Sequence, residues 1–364
     1  MIARLSLILL LLLSLPLSAR AEPASGVPAD SVTRQRFKIG RGTEANFTVT
    51  AGTLPIGAPD RDQQPAMFYT AYTRDVVARD ARPLTFVFNG GPGASSAYLH
   101  VAAIGPRVVE FGLGGQMPPQ PVHLVDNPDS WLDLTDLVFI DPIGTGYSTT
   151  NDAGKKYYAV REDLNALASF IDLYLARNNR MASPKYLVSE SYGGIRAARL
   201  PQMLADDHGI SLMGVIMISP VLEFSLLGGS EFEPLPFALR LPSYAASKIE
   251  RTAKLTPEAL GEVERFAVGP YLAALVASPR DPAATKQVNA EVSRFTGLPE
   301  ELIARHNGLI TPYVFVKEFR RSEQRVVSHY DASVDGPDPS PSTNEARVDP
   351  INQGIVPALT AAMN

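Results

Sequence analysis

Four short, largely apolar runs constrain this chain more than any other feature: LTFVF (84–88), LVFID (137–141), KYLVS (185–189) and GVIMIS (214–219). Continuous apolar runs of that length suit strands covered on both faces, as in a mainly parallel sheet. Helical periodicity lies between them, clearest in REDLNALASFIDLYLA (161–176) and in the run after Ser191. Strands alternating with helices predict a doubly wound α/β domain. Upstream, residues 34–50 and AMFYTAYT (66–73) roughly alternate apolar and polar types, with β-branched and aromatic residues. They are expected to form an antiparallel edge. After 220 the pattern changes, and 225–330 carries helix signals and little strand. Thr256-Pro257-Glu258 reads as an N-cap, a first-turn proline and an acidic residue, and Asn307-Gly308 reads as a helix stop. This segment predicts a helical cap over the sheet. GPDPSPSTNE (336–345) is a Pro/Ser-rich connector, and a last helical segment covers 351–364.

The first 21 residues read as an export signal rather than as part of the fold. Arg4 is the positive n-region, LSLILLLLLSLPL (5–17) is apolar but short for a membrane span, and Ala19-Arg20-Ala21 is a small-x-small cleavage pattern. The expected organisation is therefore a signal peptide over 1–21, a core over 34–224, a cap over 225–335, and a connector opening a further part of the core over 336–364. A net charge of −5 with no Lys/Arg block gives nucleic acid or an anionic membrane surface no electrostatic hold. No cysteine is present, which removes thiolate catalysis, zinc–thiolate sites and iron–sulfur clusters. An exported protein of this size without a disulfide suits the periplasm or another secreted setting that relies on a large core.

Two motifs carry chemistry. LVSESYGG (187–194) has the shape of a nucleophile elbow, in which an apolar strand runs into small-x-Ser-x-Gly. Ser189 and Gly193 hold the two small positions, and Ser189 stands where glycine is usual. Taken alone, the match is also compatible with a buried serine at the end of an ordinary strand. The second motif is NGGPGASS (89–96), into which the strand 84–88 empties. Adjacent glycines let a backbone approach a ligand closely with its N–H groups outward. No lysine follows at the place a phosphate loop requires. In α/β-hydrolases this loop supplies one oxyanion-hole N–H and the residue after the nucleophile supplies the other. Gly91 and Tyr192 would fill those roles.

The order of the motifs is similar to that of the serine carboxypeptidase family. The resemblance rests on FVFNGGPGASS, NPDSWLDLTDLVFIDPIGTGYS and ESYGG, in the family's order and spacing, and covers roughly 35–220. It implies an α/β-hydrolase fold, Ser191 as the nucleophile of an acyl-enzyme, and removal of C-terminal residues from peptides. It also implies that Asn89 and Glu190 bind the substrate's free carboxylate. A glutamate facing a carboxylate has to be protonated to donate a hydrogen bond, which favours acid pH. Family members carry a second glutamate two residues before a glycine in the helix after the loop, and here that position is Ala103, ahead of Gly105. The hydrolase needs no metal or organic cofactor, and the histidines lack the i, i+4 spacing of a zinc site.

In this fold the chain order is Ser, then an acid, then His. His100 and His123 precede Ser191, and His208 follows by only 17 residues. His306 and His329 follow no expected core strand, and Asp331 and Asp335 lie too close to His329 to be an obvious acid. The expectation is a chain whose last core strands, acid and base lie beyond residue 364, inactive as it stands. Two other readings remain. One is an esterase or acyltransferase using the same machinery, and the other is a binding protein that kept the fold without its base. A proline-type aminopeptidase is disfavoured because the elbow is ESYGG. Side-chain preference and oligomeric state leave no mark in the sequence.

Overall fold

The computed structural model describes residues 29–363, apart from 41, 58–64, 77, 113–120, 151–156, 278–281, 345 and 347. The expected signal peptide lies outside the described residues. The chain opens with β1 (Ser31–Ile39), β2 (Thr43–Pro55) and β3 (Ala66–Arg74), an antiparallel meander as the alternation predicts. β4 (Leu84–Phe88) follows, then a short turn α1 (Ala97–Leu99) that continues as a π-helical turn over His100–Ile104. A small hairpin, β5 (Arg107–Val109) with β6 (Leu124–Asp126), leads to β7 (Asp136–Ile140). α2 (Val160–Arg177), β8 (Lys185–Glu190), α3 (Gly193–His208) and β9 (Gly214–Ile218) complete the core.

The seven-stranded sheet runs β1-β2-β3-β7-β4-β8-β9. β7, β4, β8 and β9 are parallel, and β3 joins β7 antiparallel. This is the doubly wound α/β architecture of an α/β-hydrolase. β4 and β7 are buried at every position, which explains their unbroken apolar sequence. Their side chains still alternate between faces: Phe86, Phe88, Val138 and Ile140 meet the core under α2 and α3, and Val87, Leu137 and Phe139 meet the opposite one. α2 buries Leu164, Leu167, Phe170, Ile171, Tyr174 and Leu175 at helical spacing against the first face. α3 stops at Gly209, whose φ of +66° is the left-handed cap that glycine accepts most readily. One expectation needs correcting. β9 is only partly buried, with Ile216 exposed and Met213 exposed just before it, because it is the outermost strand and no described strand pairs beyond it.

Beyond β9 the chain is helical: α4 (Leu235–Thr252), α5 (Pro257–Phe266), α6 (Leu272–Ala277), α7 (Pro282–Thr296), α8 (Glu300–Arg305) and α9 (Pro312–Glu318). Thr256 caps α5 by accepting from the Ala259 N–H, with Pro257 in the first turn. The stop after α8 is formed by Asn307 and Gly308, both at positive φ. These helices share a hydrophobic core of their own around Phe237, Leu241, Tyr244, Tyr271, Phe295 and Phe315. A two-stranded hairpin, β10 (Arg325–Val327) with β11 (Asp335–Pro337), was not expected from the sequence, and it places a strand directly before His329. α10 (Pro350–Met363) packs on the helical turn after β4 and on the β5 hairpin, where Ile351 and Ile355 meet Ala97, Val101 and Val109.

Candidate active site

The carboxyl ends of β4, β7 and β8 come together, at the rim where open α/β sheets hold their ligands. β8 enters α3 through a two-residue turn, and Ser191 in that turn has φ +59°. A non-glycine residue there is strained by ~1–2 kcal/mol and persists only when its surroundings enforce it. Here the Ser191 N–H donates to Ile218 O at 3.1 Å, and its carbonyl accepts from Gly194 N and Val221 N, both at 2.8 Å. The small flanking residues have a steric cause. A Cβ on Gly193 would stand 2.9 Å from the Ser189 Cβ, and one on Gly194 would stand 2.6 Å from the Pro220 Cβ. Ser189 itself is fully buried, and its hydroxyl has no partner among the described residues.

The glycine loop lies against this turn. A Cβ on Gly90 would meet Tyr192 N at 2.5 Å, Glu190 O at 2.8 Å and Ser191 Cβ at 3.0 Å, so only glycine permits the approach. Gly91 has φ +105°, again a glycine conformation. Neither the Gly91 nor the Tyr192 amide donates to an acceptor among the described residues. Asn89 is buried and held at several atoms. Its Oδ1 accepts from Leu99 N at 3.1 Å, its Nδ2 donates to Glu190 Oε2 at 3.0 Å, and its carbonyl accepts from Arg196 Nη1 at 2.7 Å. Glu190 also accepts from the Gly90 amide. Burial pushes the Glu190 carboxyl above its ordinary range, and the hydrogen bonds from Asn89 and Gly90 partly oppose that rise.

The structure therefore brings Ser191, Tyr192, Gly91, Asn89 and Glu190 to one place. It adds residues that sequence reasoning missed. Asp141, at the end of β7, accepts from Ser96 N at 2.9 Å and Tyr147 N at 3.3 Å and ties the DPIGTGYS segment to the glycine loop. Tyr98 packs on Tyr330 in a tilted pair with ring centroids 4.8 Å apart, and its hydroxyl bonds Asn352 of α10. Burial above all, and the Glu190 charge in smaller part, hold the pKa of both tyrosines above the ordinary phenol value. Ala103 lies exposed in the π-helical turn and contributes no second carboxyl.

None of the five histidines bonds the Ser191 hydroxyl. His100 stacks on Phe139 and pairs with the Tyr72 hydroxyl at 2.7 Å, and burial pushes its pKa down to about 4. His208 pairs with Asp172 at 3.0 Å at the far end of α3. His329 lies edge-on to Tyr313, and its backbone N–H donates to Asp349 Oδ2 at 2.8 Å. Among the described residues no cluster of three or more His, Asp or Glu could hold a metal ion.

The sequence profile of the serine carboxypeptidases matches residues 41–232. Among curated proteins, "Serine carboxypeptidase-like 46" of Arabidopsis thaliana is 28% identical over 177 residues, 46% of this chain and 35% of that protein. "Carboxypeptidase sxa2" of Schizosaccharomyces pombe is 31% identical over 179 residues, 46% of this chain and 32% of that protein. The chain thus spans about a third of the length of the curated relatives it matches. A solved prohormone-processing carboxypeptidase of Saccharomyces cerevisiae aligns at 21% identity and a TM-score of 0.41, over 68% of this chain and 53% of that one. With the profile matching more than half of its residues, from the glycine loop through the elbow, the chain belongs to the serine carboxypeptidase family.

Proposed function

We propose that this chain carries the nucleophile and the substrate grip of a serine carboxypeptidase-like hydrolase, one that removes C-terminal residues from peptides through an acyl-enzyme on Ser191. The observation that carries the reading is the turn at Ser191: a serine at φ +59° on the end of β8, next to two amides without internal acceptors. In this reading Ser191 Oγ attacks the last peptide carbonyl, and the Gly91 and Tyr192 N–H groups receive the negative charge that develops on its oxygen. The amine product then leaves, and water resolves the ester. Asn89 and Glu190 bind the free carboxylate, with the protonated Glu190 carboxyl donating its O–H to a carboxylate oxygen. The base that takes the Ser191 proton is none of the five histidines as they stand here, so the 364 residues alone are expected to show no turnover. The apolar leader over 1–21 supports export to the periplasm or beyond. No described helix is long and apolar enough to cross a membrane.

The test is hydrolysis of N-blocked dipeptides by the full-length gene product, with Ser191→Ala as control. Release of the last residue from free-carboxylate substrates, absent from C-terminally amidated ones and lost in Ser191→Ala, is the expected result. Equal hydrolysis of amidated substrates would sink the exopeptidase reading. Because burial raises the Glu190 carboxyl, the protonated donor persists to higher pH than an ordinary glutamate allows, and KM is expected to climb as Glu190 ionises. Glu190→Gln, a permanent donor, should flatten that climb, and a KM profile identical to wild type would remove Glu190 from the grip. A second reading, esterolysis or acyl transfer, is favoured by Ala103, since a carboxylate grip with one carboxyl holds exopeptidase specificity less tightly. Faster turnover of esters carrying no free carboxylate would select it.

A further inference from the structure

We infer that Arg196, locked by Asp163, is a positioning residue that fixes the oxyanion loop against the nucleophile elbow; this rests on the roles proposed above for Gly91 and Tyr192. Arg196 sits on α3, five residues after Ser191, and is only 2% exposed. Its Nε and Nη2 donate to the two carboxylate oxygens of Asp163 on α2, at 2.7 and 3.0 Å. Its remaining fork arm, Nη1, donates to the Asn89 carbonyl at 2.7 Å. The guanidinium also lies 5.0 Å from the centre of the Tyr192 ring, and the Tyr192 hydroxyl bonds Asp163. One buried Asp–Arg pair therefore touches Tyr192 and Asn89, the latter two residues before Gly91.

The Asn89 carbonyl is half of a peptide unit whose other half, the Gly90 N–H, is held by Glu190. That plane is gripped at both ends, and the next amide along the chain is Gly91 N–H. Rotation of the Asn89–Gly90 peptide would swing the Gly91 amide, whose own peptide plane is otherwise held, among the described residues, through Gly90 O, which accepts from Ala94 N at 3.3 Å within the same loop. A buried ion pair adds little stability over a well-packed apolar pair, so stability alone is a weak reason for the arrangement. Geometry is the stronger one. A planar fork reaches a carboxylate and a carbonyl at fixed angles, which a lysine's single ammonium cannot reproduce.

The experiment compares the full-length protein with its Arg196→Lys variant, reading kinetics on a chromogenic acyl ester and backbone amide exchange by mass spectrometry. Arg196→Lys is expected to lower kcat roughly 10- to 100-fold, as a misplaced oxyanion donor does. KM is expected to stay within about twofold, because the interaction is made in the transition state. Amide exchange over residues 84–99 should accelerate while that of β1–β3 does not. If Arg196→Lys does not fold, Arg196→Met with Asp163→Leu removes both charges together and takes its place, with the same expectations. Unchanged kcat, or a rise in KM at constant kcat, overturns the inference. If the wild-type protein turns over no ester, the proposed function fails first. Exchange over 84–99 then still decides the clamp, and a rate identical to wild type overturns it.

Discussion

At Ser189 the chain keeps a hydroxyl with no partner among the described residues, two residues before the proposed nucleophile. A buried hydroxyl without a hydrogen bond costs desolvation energy that nothing returns. Ser189→Ala is therefore expected to stabilise the fold by roughly 0.5–1.5 kcal/mol, read as a higher urea midpoint at constant slope. A lower midpoint would mean that the hydroxyl has a partner after all. The sequence showed that position 189 must be small, because the small-x-Ser-x-Gly spacing is local. The 2.9 Å approach of a Gly193 Cβ to Ser189 gives the reason. What it could not show is Arg196. Its partners Asp163 and Asn89 are 33 and 107 residues away, and no spacing rule connects an arginine on a helix to a carbonyl in a distant loop.

At the scale of elements, the loop after β7 depends on a buried carboxylate that no sequence pattern marks. Asp141 is buried, and desolvation pushes its pKa up to about 6 despite the bonds from the Ser96 and Tyr147 amides. A folded-state value above the ordinary 3.8 means that the folded protein binds this proton more tightly than the unfolded chain. The contribution is fully present below pH ~4 and is lost as pH rises through ~6, about 3 kcal/mol at most. The comparison of wild type with Asp141→Asn isolates it from other carboxyls: the difference in unfolding free energy should change between pH 4 and 7 and level off on either side. A difference constant across that range would remove Asp141 as the titrating group. The strands themselves were legible, since β4 and β7 are buried on both faces and their sequences say so. Their order was not, because the place of β7 between β3 and β4 is decided by neighbours and not by anything inside DLVFI. β10 and β11, three residues each, are too short for any period to register.

At the scale of the whole molecule, the two edges of the sheet are unlike. β1 ends the antiparallel meander with a strand that is polar and exposed along most of its length, whereas the apolar β9 presents its outer edge with no described strand beside it. The apolar side chains cluster on the same stretch of chain: Met213 is 69% exposed, Leu222 58% and Phe232 87%. An unpaired strand flanked by large exposed apolar residues is a template for pairing with another chain. The 364-residue chain is therefore expected to bind a hydrophobic dye and to self-associate at micromolar concentration, with the larger species visible in sedimentation velocity. Ile216→Lys together with Phe232→Lys places two charges on that surface and should return the chain to a monomer with unchanged far-ultraviolet circular dichroism. The nucleophile sits one hydrogen bond from this edge, because the Ser191 N–H is held by Ile218 O at the end of β9. A wild-type chain that stays monomeric and binds no dye would mean that this face is covered in solution, and the association would have to be abandoned.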